Sequence, residues 1–190
     1  MNAGSRFERR PILVNQPVMN ESGEWFQNEQ LDQMSALKDT ASRICRRINM
    51  TTEMARRETV RLLALLLGEY SRDAVILAPF HAEYGAFTQI GGGVLIFQNC
   101  SLLDEGGITI KDRVCIGANC LMNTSAALYS PASILIEEDV WIGENVTIHP
   151  GVTIGKGSII TAGSHVDRDI PAGVIAAGNP CRIITAAAEC

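Results

Sequence analysis

The sequence predicts a mainly β protein: a parallel β-helix of short repeats, with an α-helical segment at its N-terminal end. Three observations carry this expectation. Ile136, Ile142, Ile148, Ile154, Ile160 and Val166 stand six residues apart without exception. The positions between them are dominated by turn formers. Upstream, between residues 27 and 70, apolar residues recur instead at spacings of three, four and seven. A fixed short period marks a stacked array, because one repeat cannot bury its apolar side alone.

In the six-residue region each hexad opens on a β-branched aliphatic residue. Its fifth position is Val140, Val146, Val152, Ser158, Ser164 or Ile170. Positions two to four carry Gly, Asn, Asp, Glu, Lys and Pro, the residues of tight turns. Each hexad therefore reads as a short strand plus a turn, and three make one triangular coil with the head residues inside. The same phase runs through Ile90, Val94, Ile96, Cys100 and Leu102, and again through Ile110, Val114, Ile116, Cys120 and Met122. It breaks between residues 104 and 108, and again between Met122 and Ile136. These interruptions read as excursions from the coils, which in repeat arrays often lie on the binding side. A sandwich or barrel would instead alternate with period two and turn about every 8–12 residues.

In the helical segment, Leu31, Met34, Leu37, Ile44 and Ile48 form one apolar stripe. Thr51 or Thr52 can cap a second helix with Glu53 in its first turn. Val60, Leu63, Leu66 and Leu67 give that helix its buried face. The expected organisation is a mobile tail over 1–26, a helical segment over 27–70, the β-helix over 71–184 and a C-terminal tail over 185–190.

Composition narrows the function classes. The 190 residues carry 16 basic and 21 acidic side chains, a net charge of −5, with no basic block, which argues against nucleic acid. The longest apolar run, 62–67, falls well short of the ~20 residues that span a bilayer. No apolar stretch follows Arg9 and Arg10, so no secretory signal is expected. Six cysteines without a Cys-x-x-Cys pair read as free thiols in a reducing cytoplasm.

Three blocks carry a family resemblance: Val140-Trp141-Ile142-Gly143, Pro150-Gly151-Val152-Thr153-Ile154-Gly155, and Ala176-Ala177-Gly178-Asn179-Pro180-Cys181-Arg182. The chain resembles the hexapeptide-repeat acyltransferases, in the branch of maltose and galactoside O-acetyltransferases. The match runs from about Glu21 to Ile184, weakly around Gly23-Glu24-Trp25-Phe26. The resemblance implies a left-handed parallel β-helix, a homotrimer, and an acyl-CoA cosubstrate, acetyl-CoA or another, in the groove between subunits. It places that groove along Trp141, Gly143, Glu144, Ala162 and Gly163, then Asp167 and Arg168, ending at Arg182. Such chemistry needs a base for the acceptor hydroxyl, N–H donors for the developing oxyanion, and cations for the phosphates.

The chain also departs from the pattern. Sugar-acetylating members have Ser at the position of Glu144 and Thr at that of Asp167, and two added carboxylates oppose a polyanion. Their catalytic His belongs to the second excursion, which here reads Asn123-Thr124-Ser125-Ala126-Ala127-Leu128-Tyr129-Ser130-Pro131 and holds no His. Ala127 stands near the expected position. On the acceptor side, Phe97 stands where an Asn is usual, Asn28 where an N-terminal Asp is, and Glu105 where an Asp is. Phe97, Asn99, Glu105 and Leu128 are the candidate substrate-pocket residues, and the acceptor is expected to be a small molecule less polar than a sugar.

Three histidines remain. His149 could point outward at a corner and replace the lost base. His81 could pair with Glu83, which would hold one tautomer. His165 adjoins the presumed coenzyme wall. A gamma-class carbonic anhydrase shares this fold but needs three zinc-binding His; these three are spread along the axis, so no metal is expected. The readings left open are an acyl-CoA-dependent acyltransferase, a repurposed enzyme running proton-transfer or isomerase chemistry with His81, Glu83, Glu105 or His149, and a non-catalytic trimer.

Overall fold

A computed structural model describes residues 29–51, 56–125 and 131–187. The N-terminal stretch with Trp25, Phe26 and Asn28, the Thr52 cap, Ala127 and Leu128, and Cys190 lie outside the described residues. Two helices, α1 (Glu29–Met50) and α2 (Arg56–Leu66), precede a triangular solenoid of parallel strands.

With strands numbered in chain order, the first face stacks β1 (Glu69–Tyr70), β4 (Thr88–Ile90), β7 (Ile108–Ile110), β10 (Ile134–Ile136) and β13 (Thr153–Ile154). The second stacks β2 (Val75–Ile76), β5 (Leu95–Ile96), β8 (Cys115–Ile116), β11 (Trp141–Ile142), β14 (Ile159–Ile160) and β16 (Val174–Ala177). The third stacks β3 (Phe80–Ala82), β6 (Cys100–Leu103), β9 (Leu121–Asn123), β12 (Thr147–Ile148) and β15 (His165–Val166). The chain passes from first to second to third face and round again.

The six-residue beat is the interior of this prism. Ile136, Ile142, Ile148, Ile154, Ile160 and Val166 are all 0% exposed. The fourth position of a hexad turns the corner in the left-handed region, with φ of 60° at Asp139, 56° at Asn145, 66° at Gly157 and 72° at Gly163. L-residues other than Gly, Asn and Asp pay about 1–2 kcal/mol there, which is why those types recur. Arg113 is the exception, at φ 58°; its guanidinium is held by Asp139 through contacts of 2.6 and 2.9 Å. At some corners the second position is also Gly, for a different reason. A Cβ on Gly143 would lie 2.5 Å from the Ala162 nitrogen in the next coil.

The outward rows differ by face. The first is mostly polar, with Glu69, Gln89, Thr109, Leu135 and Thr153 in register. The second is apolar, with Val75, Leu95, Cys115, Trp141, Ile159 and Ile175 in register. Trp141 remains 54% exposed on it.

Each end carries a cap on at least one face. A parallel edge strand presents unpaired N–H and C=O groups that invite further pairing. At the start, the Asn49 carboxamide of α1 accepts from Phe80 N at 2.9 Å and donates to Phe80 O at 3.0 Å. Cys45, also on α1, is buried against Ala82, and Leu62, Leu63 and Leu66 of α2 join the same core. Thr51 closes α1, its hydroxyl donating to Arg47 O at 2.7 Å. At the far end, β17 (Arg182–Ala186) pairs antiparallel with β16 and stands outermost on the second face.

Candidate functional site

Register places nearly all the nominated residues on the third face or its two corners. Ile96, Ile116, Ile142 and Ile160 are aligned across the second face. The residues that follow them therefore form the second–third corner. Phe97 and Asn99 lie low on it, Gly143, Glu144 and Asn145 higher, and Thr161, Ala162 and Gly163 above those. Gly143 N donates to Ile160 O at 2.8 Å and Gly163 N to Glu144 O at 2.8 Å, which locks these coils together. No atom lies within 4 Å of where a Cβ on Gly163 would sit, so the upper rim is open. Trp141 stands on the second face beside this corner. Its neighbours in register, Cys115 and Ile159, are half-buried.

The third–first corner is built differently, because both excursions leave from it. Ala82, Leu102, Met122, Ile148 and Val166 are aligned, so Glu83, Leu103, Asn123, His149 and Asp167 follow one another up the corner. The excursion beyond Ser125 is pinned at its root. Ala132 N donates to Thr124 O at 2.9 Å, and Gly106 N to Thr124 Oγ1 at 2.7 Å. Glu105 accepts from Ser125 Oγ at 2.8 Å, joining the two excursions. Buried Asp104 accepts from Tyr84 N at 2.8 Å and Thr88 Oγ1 at 3.0 Å.

The three histidines separate into one and two. His81 is exposed on β3, and β12 lies three coils higher, about 14 Å at the usual strand spacing. Glu83 is taken by Lys38 of α1 at 2.5 Å rather than by His81, and this contact raises the Lys38 pKa. His149 and His165 come together. Thr147 pairs with His165 in register, so His149 projects from the coil directly beneath. Their Nε2 atoms are in hydrogen-bond contact and their ring centroids are 4.4 Å apart. Burial, and secondarily the neighbouring His165, hold His149 below the ordinary imidazole pKa; Asp167 acts in the opposite sense. Hexad arithmetic could have revealed this pair, since three hexads bring residue 147 beside 165. Among the described residues no group of three or more metal-ligating side chains is gathered.

At the top of this corner Asp167 Oδ1 accepts from Arg182 Nη1 at 3.0 Å and from Arg168 Nε at 3.2 Å. The contacts with Arg168 and Arg182 hold its carboxyl below the usual carboxylate range. The two cations nominated for phosphate thus share one internal carboxylate.

A cavity of about 710 Å³ lies elsewhere, between the helices and the first coil, lined by Ile48, Leu63, Tyr70, Ile76 and Pro79 among others. None of the nominated residues lines it. No helix among the described residues is long and apolar enough to cross a membrane.

Comparison with known proteins agrees with this geometry. Residues 133–168 match the model of the bacterial transferase hexapeptide (six repeats). The chain is 31% identical over 148 residues to a galactoside O-acetyltransferase of Lactococcus lactis, covering 72% of each. It is 35% identical over 144 residues to that of Escherichia coli, covering 70% of each. Among solved structures, a hexapeptide-repeat acetyltransferase from Vibrio cholerae complexed with acetyl-CoA superposes with a TM-score of 0.78 at 35% identity, over 83% of this chain and 90% of that one. A galactoside acetyltransferase in complex with coenzyme A gives 0.78 at 27% identity, over 84% of each.

Proposed function

The chain belongs to the hexapeptide-repeat acetyltransferase family, whose left-handed parallel β-helix it shares, and from that premise we propose that it transfers an acyl group from acyl-CoA, acetyl-CoA in the first instance, to a hydroxyl of a small acceptor. The observation that carries this reading is the second–third corner. Gly143 packs against the Ala162 backbone and Gly163 leaves the rim open. This makes a smooth edge on which an extended pantetheine chain can lie, with Trp141 alongside. Arg168 and Arg182 supply cations for the phosphates. In a homotrimer the regular corner of one subunit would face the irregular corner of the next, and the apolar second face offers the contact surface. A cytoplasmic location goes with such a donor.

In this reading the His149–His165 pair is the base. Between two neutral rings one Nε2 carries a hydrogen and the other accepts it, and a ring nitrogen outside this contact is left to take the acceptor's proton. The depressed pKa of His149 keeps that ring neutral, and so able to accept, at neutral pH. The acceptor's proton passes to the pair as its oxygen attacks the thioester, and then to the departing thiolate. His81 is the alternative base, with Ser101 and Leu121 above it on the third face. Phe97, 36% exposed on the regular corner, favours an acceptor with apolar character. The test is calorimetric titration with coenzyme A and acetyl-CoA, followed by thiol release across a panel of alcohols graded in polarity. Micromolar binding and release favouring apolar alcohols are expected; absence of binding would overturn the reading.

A non-catalytic trimer is the second reading. It is favoured by the engagement of Arg168 and Arg182 with Asp167, which offsets part of their charge. Replacing His81, His149 and His165 together would then leave cellular function intact.

A further inference from the structure

The ion cluster at the top of the third–first corner has an arrangement that packing does not demand. Asp167, Arg168 and Arg182 are all exposed, with side chains 36%, 59% and 45% accessible. Two guanidinium groups from different segments converge on one oxygen, Asp167 Oδ1. Arg182 is further fixed by donating from Nη1 to Cys181 O at 2.6 Å. A guanidinium has five donors, so most N–H groups of both arginines still face solvent. Two fixed cations aimed at a single oxygen form an oxyanion seat, and here the chain itself supplies the anion.

We infer that Asp167 is a resident counter-anion, so that a phosphate group binds Arg168 and Arg182 only by displacing this carboxylate, and Asp167 thereby sets which phosphorylated donors the protein accepts. The inference rests on the acyl-CoA reading and refines it. With Asp167 ionised the three side chains carry a net formal charge of +1; without it they carry +2. A monoanion gains little by the exchange, since it replaces one charge by another. A pyrophosphate or a phosphomonoester dianion gains, because it brings more charge to the same two cations. The displaced carboxylate needs no new partner, because it is already at the surface. Asp169, two residues on, is committed elsewhere: its Oδ1 accepts from Thr153 N at 2.7 Å.

The test compares the full-length chain with its Asp167→Asn, Arg182→Gln and doubly substituted forms, titrated by calorimetry with coenzyme A, dephospho-coenzyme A and inorganic pyrophosphate. Asp167→Asn keeps the side-chain shape at an exposed position, and an unchanged melting temperature verifies the fold. Asp167→Asn is expected to tighten coenzyme A and pyrophosphate roughly tenfold. Arg182→Gln should weaken both, and in the double variant the gain from Asn should shrink. Equal or weaker binding by Asp167→Asn would overturn the inference, because Asp167 would then only position the arginines. Tighter pyrophosphate binding with no coenzyme A binding by any form would uphold the counter-anion and refute the donor reading. No binding of either ligand by any form would refute both.

Discussion

The two corners that flank the third face are made from the same repeat yet differ in kind. At the second–third corner the coils that follow Ile96, Ile116, Ile142 and Ile160 turn in the same way, each through a positive-φ residue, Asn99, Asn119, Asn145 or Gly163, and the backbones of Gly143 and Ala162 touch because no side chain separates them. At the third–first corner both excursions depart, and the charged and titratable candidates collect there: Glu83, Glu105, His149, Asp167 and Arg168. The regular corner can offer one fixed shape to one fixed ligand. The irregular corner carries more chain between its strands, held at its root by Asp104 and Thr124, and so has room for side chains that the regular corner excludes.

Four substitutions would break or sharpen this contrast. His149→Gln, on the irregular corner, is expected to lower kcat by about a hundredfold to ten-thousandfold if the pair is the base, with the thermal midpoint unchanged. Steady-state kinetics beside a melting curve decides it, and an unaltered kcat would move the chemistry to His81. Gly143→Val, on the regular corner, should do the reverse. Its Cβ meets backbone that cannot step aside, so a loss of about 1–3 kcal/mol in stability is expected, together with loss of donor binding, read by urea denaturation and calorimetry.

The third variant, His165→Gln, probes the sign of the pKa shift. A base depressed below the ordinary imidazole value stays neutral to lower pH, so the native rate falls only as pH drops through that depressed value. Removing the neighbouring ring relieves part of the depression. The acidic limb of the pH–rate profile should therefore move to higher pH, and a limb that stays put would separate the two rings functionally. The smallest effect is expected from Glu83→Gln. It breaks the contact with Lys38, whose side chain is 55% exposed, and should cost no more than about 1 kcal/mol, measured by thermal unfolding.

Sequence and structure agree most closely where the physics is local and periodic. Head residues every six positions had to be inside, and they are. Corner residues with positive φ had to be mainly Gly, Asn or Asp, and Arg113 is the departure that no period could flag. The two helices follow the apolar spacing, and Thr51 closes the first of them. What stayed hidden depends on side chains meeting from distant segments. Glu83 stands beside His81 in sequence, but α1 brings Lys38 to it from 45 residues away. Asp167 was legible as an unfavourable charge near a polyanion, but its engagement with both arginines required Arg182 to return over the top of the solenoid. The His149–His165 pair was available to counting and emerges only when the coils are laid in register.

The two closures of the solenoid have a consequence beyond stability. In polymer terms a parallel stack is a chain with reactive ends, and each added coil recreates the end it covers. Asn49 acts as a terminator at one end, spending its amide on the very N–H and C=O of Phe80 that another strand would seek. At the other end β17 reverses direction, so the parallel stack of the second face does not continue beyond it. On those two faces the stack is ended by capping groups rather than by its repeat, and a chain stripped of α1 would bare the Phe80 edge to the next strand that meets it.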